Sequence, residues 1–309
     1  MMYFFLVFGF FLLIKGADFF VDGSSATAKR LRIPSLIIGM TIVAMGTSLP
    51  ETSVSVSASI ADKNDLSISN AVGSNIFNLM VVAGLCAVLC PLTIEKAAMR
   101  RDFPISAGAA VLLLGIGTYC GRIPRWGGIV LLAAFVVFLY VMVHSAFIAR
   151  NENTSDDEIK ALPVWKCILF MTGGIAAIAV GGKMVVSGAS DIARTFGMSD
   201  NLIGMTVVAL GTSLPELVTS VVAAKKNELD MALGNVIGSN IFNILFVLGI
   251  ASAISPVTFT TFNCIDTSFL ICVSGLVYLF CLPGHKLVRW HGITMLAVYA
   301  GFAAYLFIR

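Results

Sequence analysis

A chain of 309 residues that is 58% hydrophobic and 12% charged carries about half the charge of an ordinary soluble domain, which is about 25% charged. That leaves too little polar surface to cover a globule, so soluble enzymes, nucleic-acid binders and disordered chains are excluded. The bilayer is the solvent, and the net charge of +3 names no electrostatic partner.

The N-terminus, Met1-Met2-Tyr3-Phe4-Phe5, lacks a basic n-region and a small-residue cleavage site, and reads as a retained first membrane helix. A spanning helix needs about 20 mainly apolar residues. Ten runs meet that test, at 2–28, 35–60, 67–90, 104–120, 127–149, 165–190, 201–224, 231–255, 264–282 and 291–308. The longest polar stretch, Arg150 to Lys160, is a linker, leaving halves at 1–149 and 164–309 joined through 150–163. The seven cysteines contain no CxxC pair and read as small apolar packing residues.

The halves are copies. Residues 36–85 and 201–250 align without a gap at an offset of 165, and 25 of the 50 pairs are identical. GMTIVAMGTSLPE (Gly39 to Glu51) returns as GMTVVALGTSLPE (Gly204 to Glu216), and NAVGSNIFN (Asn70 to Asn78) returns as NVIGSNIFN (Asn235 to Asn243). Five spans per half is an odd number, so the second copy enters the membrane in the opposite sense. With the N-terminus outside, thirteen Lys/Arg fall in cytoplasmic loops and five outside, as the positive-inside rule asks. The expected fold is an all-α polytopic membrane protein of ten transmembrane helices. They form two inverted five-helix repeats with a cytoplasmic linker, the usual framework of secondary transporters.

Pro50 and Pro215 stand inside apolar runs. Proline removes a backbone donor and clashes with the carbonyl four residues back, where Gly46 and Gly211 already loosen the helix. Each copy therefore predicts a broken helix with free carbonyls at depth, tolerated only where it faces protein or a water-filled cavity. Glu51 and Glu216 follow at once. A carboxylate at the bilayer centre costs about 2.5–3.5 kcal/mol on insertion scales, and no Lys or Arg lies in either motif. A bound cation supplies the missing charge most simply.

The ligands on offer are oxygens: Thr47, Ser48 and Glu51, their copies Thr212, Ser213 and Glu216, and Ser74, Asn78, Ser239 and Asn243. His144, His285 and His291 lie outside the motifs, and no cysteine belongs to them. An all-oxygen set suits hard ions such as Na⁺ and Ca²⁺ rather than zinc or copper. Two carboxylates balance one Ca²⁺ or partly balance several Na⁺.

GTSLPE and GSNIFN in both halves resemble the two alpha-repeats of the cation/calcium antiporter superfamily, close to its prokaryotic sodium/calcium exchanger branch. The resemblance implies exchange of about three Na⁺ for one Ca²⁺ by alternating access across the cell (plasma or inner) membrane. It implies a calcium site from Glu51 and Glu216 with the carbonyls of Thr47 and Thr212. Sodium sites would draw on Ser48, Ser74, Ser213 and Ser239 with the carbonyls of Ala44 and Ala209, and Asn78 and Asn243 would line a middle position.

Asn243 replaces the Asp of potassium-dependent relatives, and GTSLPE departs from the GNA-x-E of proton-coupled ones. The linker has no room for the regulatory calcium-binding domains of large animal exchangers. No cofactor is expected, and the partners are Ca²⁺, Na⁺ and the lipid bilayer. The alternative is a proton-coupled Ca²⁺ or Na⁺ antiporter using the same glutamates. A channel fits matched inverted copies less well than alternating access does. An intramembrane protease lacks a histidine base or HExxH motif.

The first span of each half ends in small residues, Gly16 to Arg30 and Gly181 to Arg194, which allow close helix approach. In the resembled family these are the gating helices. Lys15 and Asp18 read as an intrahelical pair, and Lys183 aligns with Asp18, so both fall outside the site.

Overall fold

A computed structural model describes residues 1–62, 64–152, 162–198, 203 and 207–308. Most of the 150–163 linker, the start of the 201–224 span, Lys63 and Lys160 lie outside the described residues. The chain is helical almost throughout: α1 (Met2–Leu31), α2 (Ser35–Thr47), α3 (Leu49–Ile60), α4 (Asp65–Leu89), α5 (Ala98–Cys120), α6 (Arg125–Asn151), α7 (Val164–Thr195), α8 (Ala209–Thr212), α9 (Leu214–Lys225), α10 (Leu229–Ile254), α11 (Thr261–Cys281) and α12 (Arg289–Ile308). Seven of the described helices are long and apolar enough to cross a bilayer, and the pair α2–α3, bent by 49°, passes the same test only when taken together. The polytopic class follows directly from those lengths.

The helices sort by composition. α4 and α10 are buried over most of their length, while α1 and α7 keep much of their apolar surface outward, as helices bordering lipid do. α6 packs on the C-terminal part of α10, α12 on that of α4, and α5 against α11. α2 lies close against α10 because Gly234 and Gly238 carry no side chain. A Cβ on Gly238 would stand 2.5 Å from the Met40 carbonyl oxygen, and one on Gly234 2.6 Å from that of Leu36. That approach sets Ala44–Ser48 beside Ser239.

α1 and α7 run antiparallel in close contact. Gly9 meets Gly181, Gly16 meets Gly174, Gly23 meets Cys167, and Gly188 meets Met2, so residue numbers fall along one helix as they rise along the other. Lys15 lies 4.0 Å from Asp18, but Lys226 is closer, 2.6 Å from Asp18 and 2.7 Å from Asp22. The expected intrahelical pair is thus part of a larger cluster that ties α1 to the α9–α10 turn, where Ser25 also donates to Glu228. This cluster borders a cavity of about 600 Å³ lined by Asp22, Ser25, Lys29, Phe170, Lys226 and Glu228.

Two short antiparallel ribbons join loops of different halves. β1 (Leu92–Thr93) pairs with β4 (Lys286–Leu287), and β2 (Arg122–Ile123) pairs with β3 (Val257–Thr258).

Candidate ion-binding site

The GTSLPE motifs do break their helices, and the break falls on the serine. Ser48 has φ −85° and ψ 13°, and Ser213 φ −92° and ψ 5°. This is the sparsely populated bridge region, where many active-site residues sit. α2 and α3 meet at 49° across Ser48. Pro50 and Pro215 fall in the first turn of the following helix, where a missing N–H costs nothing. Glu51 and Glu216 occupy the same first turns, so the positive ends of two half-helices favour their carboxylates.

Ala44 lies one turn before the break, and its carbonyl still makes a helical bond. Ala44's oxygen accepts the Ser48 amide at 3.0 Å and the Thr47 hydroxyl at 3.2 Å. In the second copy the Ser213 amide turns instead to Leu210 at 3.2 Å. Ala209 opens α8, and its side chain lies outside what is described.

Ala44, Thr47, Ser48, Glu51, Ser74, Asn78, Thr212, Ser213, Glu216, Ser239 and Asn243 are all buried, and hydroxyls bind the two halves to each other. Ser48 Oγ donates to Glu216 Oε1 at 2.7 Å and lies 3.1 Å from Ser239 Oγ. With the halves exchanged, Ser213 Oγ donates to Glu51 Oε1 at 3.1 Å and lies 3.0 Å from Ser74 Oγ. Each carboxylate is therefore held by the serine of the opposite copy. A hydroxyl has one proton, so Ser48 and Ser213 each have two acceptors within reach of a single donor.

The second oxygen of each acid is buried without a partner, as are Asn243 Oδ1 and both amide atoms of Asn78. A buried polar atom without a partner costs about 1–3 kcal/mol, and more when charged. These orphaned oxygens, clustered among hydroxyls, fit a hard cation as transported substrate.

Several polar residues of the site escaped selection from sequence. Asn70 Nδ2 donates to Ser55 Oγ at 3.0 Å and to the Glu51 carbonyl at 3.3 Å. Asn235 does the same to Ser220 at 2.9 Å and Glu216 at 3.4 Å. Thr47 Oγ1 lies 3.1 Å from Asn235 Oδ1, and Thr212 Oγ1 3.5 Å from Asn70 Oδ1. Their signal was identity at matching repeat positions. The wide π turns that open at Asn78 and Asn243, over Asn78–Val82 and Asn243–Val247, had no sequence cue. Such turns recur at functional sites.

Fold and site together define the class: a polytopic membrane protein with a buried, oxygen-lined centre that carries two acids from two matched helix breaks. The chain belongs to the sodium/calcium exchanger family, since the model described as "Sodium/calcium exchanger protein" matches it over residues 1–144 and 166–308. It is 39% identical over 258 residues to "Inner membrane protein YrbG" of Escherichia coli (strain K12), covering 81% of this chain and 79% of that one. It is 32% identical over 340 residues to "Sodium/calcium exchanger MaX1" of Methanosarcina acetivorans, covering 98% and 97%. The solved structure of the sodium-calcium exchanger NCX_Mj soaked with 2.5 mM Na⁺ and 1 mM Sr²⁺ superposes with a TM-score of 0.87. It is 34% identical, with 98% of this chain and 97% of that one covered.

Proposed function

We propose that this protein exchanges Na⁺ for Ca²⁺ across the cell membrane by alternating access, about three Na⁺ for each Ca²⁺. The observation that carries the reading is the pair Glu51 and Glu216, fully buried, each held through one oxygen by a serine of the other half and each with its second oxygen unpartnered. Two fixed negative charges match one Ca²⁺. Several Na⁺ can take the same oxygens with the charge compensated differently, so competition between the ions couples the two fluxes.

The ligands we assign are the carboxylates of Glu51 and Glu216 with the carbonyls of Thr47 and Thr212 for Ca²⁺. Ser48, Ser74, Ser213 and Ser239 with the carbonyls of Ala44 and Ala209 serve Na⁺, and Asn78 and Asn243 line the middle.

Ten crossings in two inverted halves, 1–149 and 164–309 around a 150–163 linker, complete the proposal, with the N-terminus outside and the linker cytoplasmic. The antiparallel run of α1 against α7, the first helices of the two halves, supports inversion. The ribbons support the span count. β1 and β4 both fall in loops assigned inside, and β2 and β3 both in loops assigned outside. Lys29 with Glu228 inside and Ser255 with Asp62 outside also join like-sided segments. An error of one span between two such partners would put them on opposite sides of the bilayer.

The test is Ca²⁺ uptake into vesicles carrying the purified protein, with an imposed Na⁺ gradient and pH clamped. Uptake that follows the Na⁺ gradient and saturates with Ca²⁺ is expected. Uptake that ignores Na⁺ and needs a proton gradient would overturn the ion assignment, and flux that continues without a counter-ion would indicate a pore.

A further inference from the structure

Asn75 stands opposite its own repeat counterpart, Asn240, and both are buried. Each donates its side-chain amide to the other's backbone: Asn75 Nδ2 to the Asn240 carbonyl at 2.9 Å, and Asn240 Nδ2 to the Asn75 carbonyl at 3.3 Å. A backbone carbonyl only accepts, so these bonds fix which end of each amide is nitrogen. Asn75 Oδ1 is then necessarily an acceptor, and Asn243 Nδ2 donates to it at 3.2 Å. The chain of constraint runs from an unambiguous backbone acceptor through Asn75 to Asn243. It commits the Asn243 nitrogen, and Asn243 Oδ1 is left buried and unpartnered.

The first half does not repeat this arrangement. Asn78, the counterpart of Asn243, has neither amide atom bonded, and Asn240 Oδ1, the atom that would hold it, is also unpartnered. The two copies share the residues but not the bond.

We propose that Asn75 is a positioning residue for the ion site: by taking the nitrogen of Asn243 it dedicates that side chain's oxygen to the transported cation. An unheld amide presents NH₂ to a cation as readily as it presents oxygen, and NH₂ is repelled. Holding the nitrogen removes the wrong orientation before an ion arrives. The middle position then has one fixed neutral oxygen donor, from Asn243, and one unfixed amide, from Asn78. The inference rests on the ion-site reading above.

The test is the dependence of Na⁺-driven Ca²⁺ uptake on each of the two ions, in vesicles, for the wild type, Asn75→Ala, Asn243→Asp and the double variant. Loss of a neutral hydrogen bond, about 0.5–1.5 kcal/mol, corresponds to about 2- to 12-fold. Asn75→Ala should therefore raise the KM of whichever ion, Na⁺ or Ca²⁺, the middle position holds by about that factor, with the maximal rate nearly unchanged. In the Asn243→Asp background two equivalent oxygens need no orientation, and Asn75 Oδ1 faces a carboxylate it repels. There Asn75→Ala should leave KM unchanged or lower it. Should Asn75→Ala not reach the membrane folded, Asn75→Ser, which also loses the fixed acceptor, carries the same expectation.

An unchanged KM for both ions in the single variant, an equal rise in both backgrounds, or a fall in maximal rate alone would each overturn the positioning role. All three are read against a wild type that shows Na⁺-driven uptake. A wild type without it would instead overturn the exchange reading on which the inference rests.

Discussion

The seam between α1 and α7 gives a paired test from two neighbouring glycines. A Cβ on Gly181 would lie 2.7 Å from the Gly9 carbonyl oxygen and 2.8 Å from the Leu13 nitrogen. Both obstacles are backbone, so Gly181→Ala must push the two helices apart by several tenths of an ångström. Overpacking of this kind costs about 1–3 kcal/mol, against about 1 kcal/mol regained in helix propensity. At Gly182 the same methyl meets only Pro215 Cγ, at 3.8 Å, an ordinary contact, so Gly182→Ala keeps the propensity gain alone. The two variants should thus differ by about 1–3 kcal/mol, Gly181→Ala being the weaker. The assay is the apparent melting midpoint in detergent, where an unfolding entropy of about 2.1 cal/mol/K per residue gives about 1.5 °C per kcal/mol. Equal midpoints for the two variants would refute the packing argument.

Ser48→Ala and Ser213→Ala each remove a hydroxyl that donates to the opposite half's glutamate. A hydrogen bond to a charged group is worth about 1.5–3 kcal/mol, so each variant should raise the Ca²⁺ KM of uptake by about tenfold or more. The two should behave alike because the contacts exchange between halves. Lys226→Met removes the ion pairs to Asp18 and Asp22, which are partly exposed and worth at most about 1 kcal/mol each. Burial would lower the Lys226 pKa, but the hydrogen bonds and charges of Asp18 and Asp22 prevail and raise it. A raised lysine pKa means its contribution is complete below the unfolded value of about 10.4 and is lost only as pH rises through the folded one. The midpoint loss should therefore be the same at about pH 6 and about pH 9, and should shrink in about 1 M salt, where screening acts within about 3 Å.

The legible parts of the molecule were those that rest on single-residue physics. Pro50 and Pro215 cannot sit in an unbroken helix, and Glu51 and Glu216 cannot sit in lipid without compensation. Both helix breaks and both acids emerged from the sequence on those grounds alone. The exact break at Ser48 and Ser213 was less legible, because proline tolerates the first helical turn and so moves the corner upstream of itself. Asn70, Asn75, Asn235 and Asn240 were visible as repeated letters, but their partners lie in other helices or across the two halves. Linear spacing does not encode such contacts. The π turns at Asn78 and Asn243 differ from ordinary helix by one residue of register, which hydropathy does not sense. Asp18 was read with its own helix neighbour, Lys15, and its closer partner, Lys226, comes from a turn more than two hundred positions away.

The account stands on two acids acting as one ion site, and Glu216→Gln and Glu51→Gln test it most directly. Each variant, purified and reconstituted as a folded membrane protein, is assayed for Na⁺-driven Ca²⁺ uptake at clamped pH. Gln keeps the size and one oxygen but removes one of the two charges that match Ca²⁺, so uptake should be lost in both variants. Near-normal exchange in either one would contradict the assignment of the site.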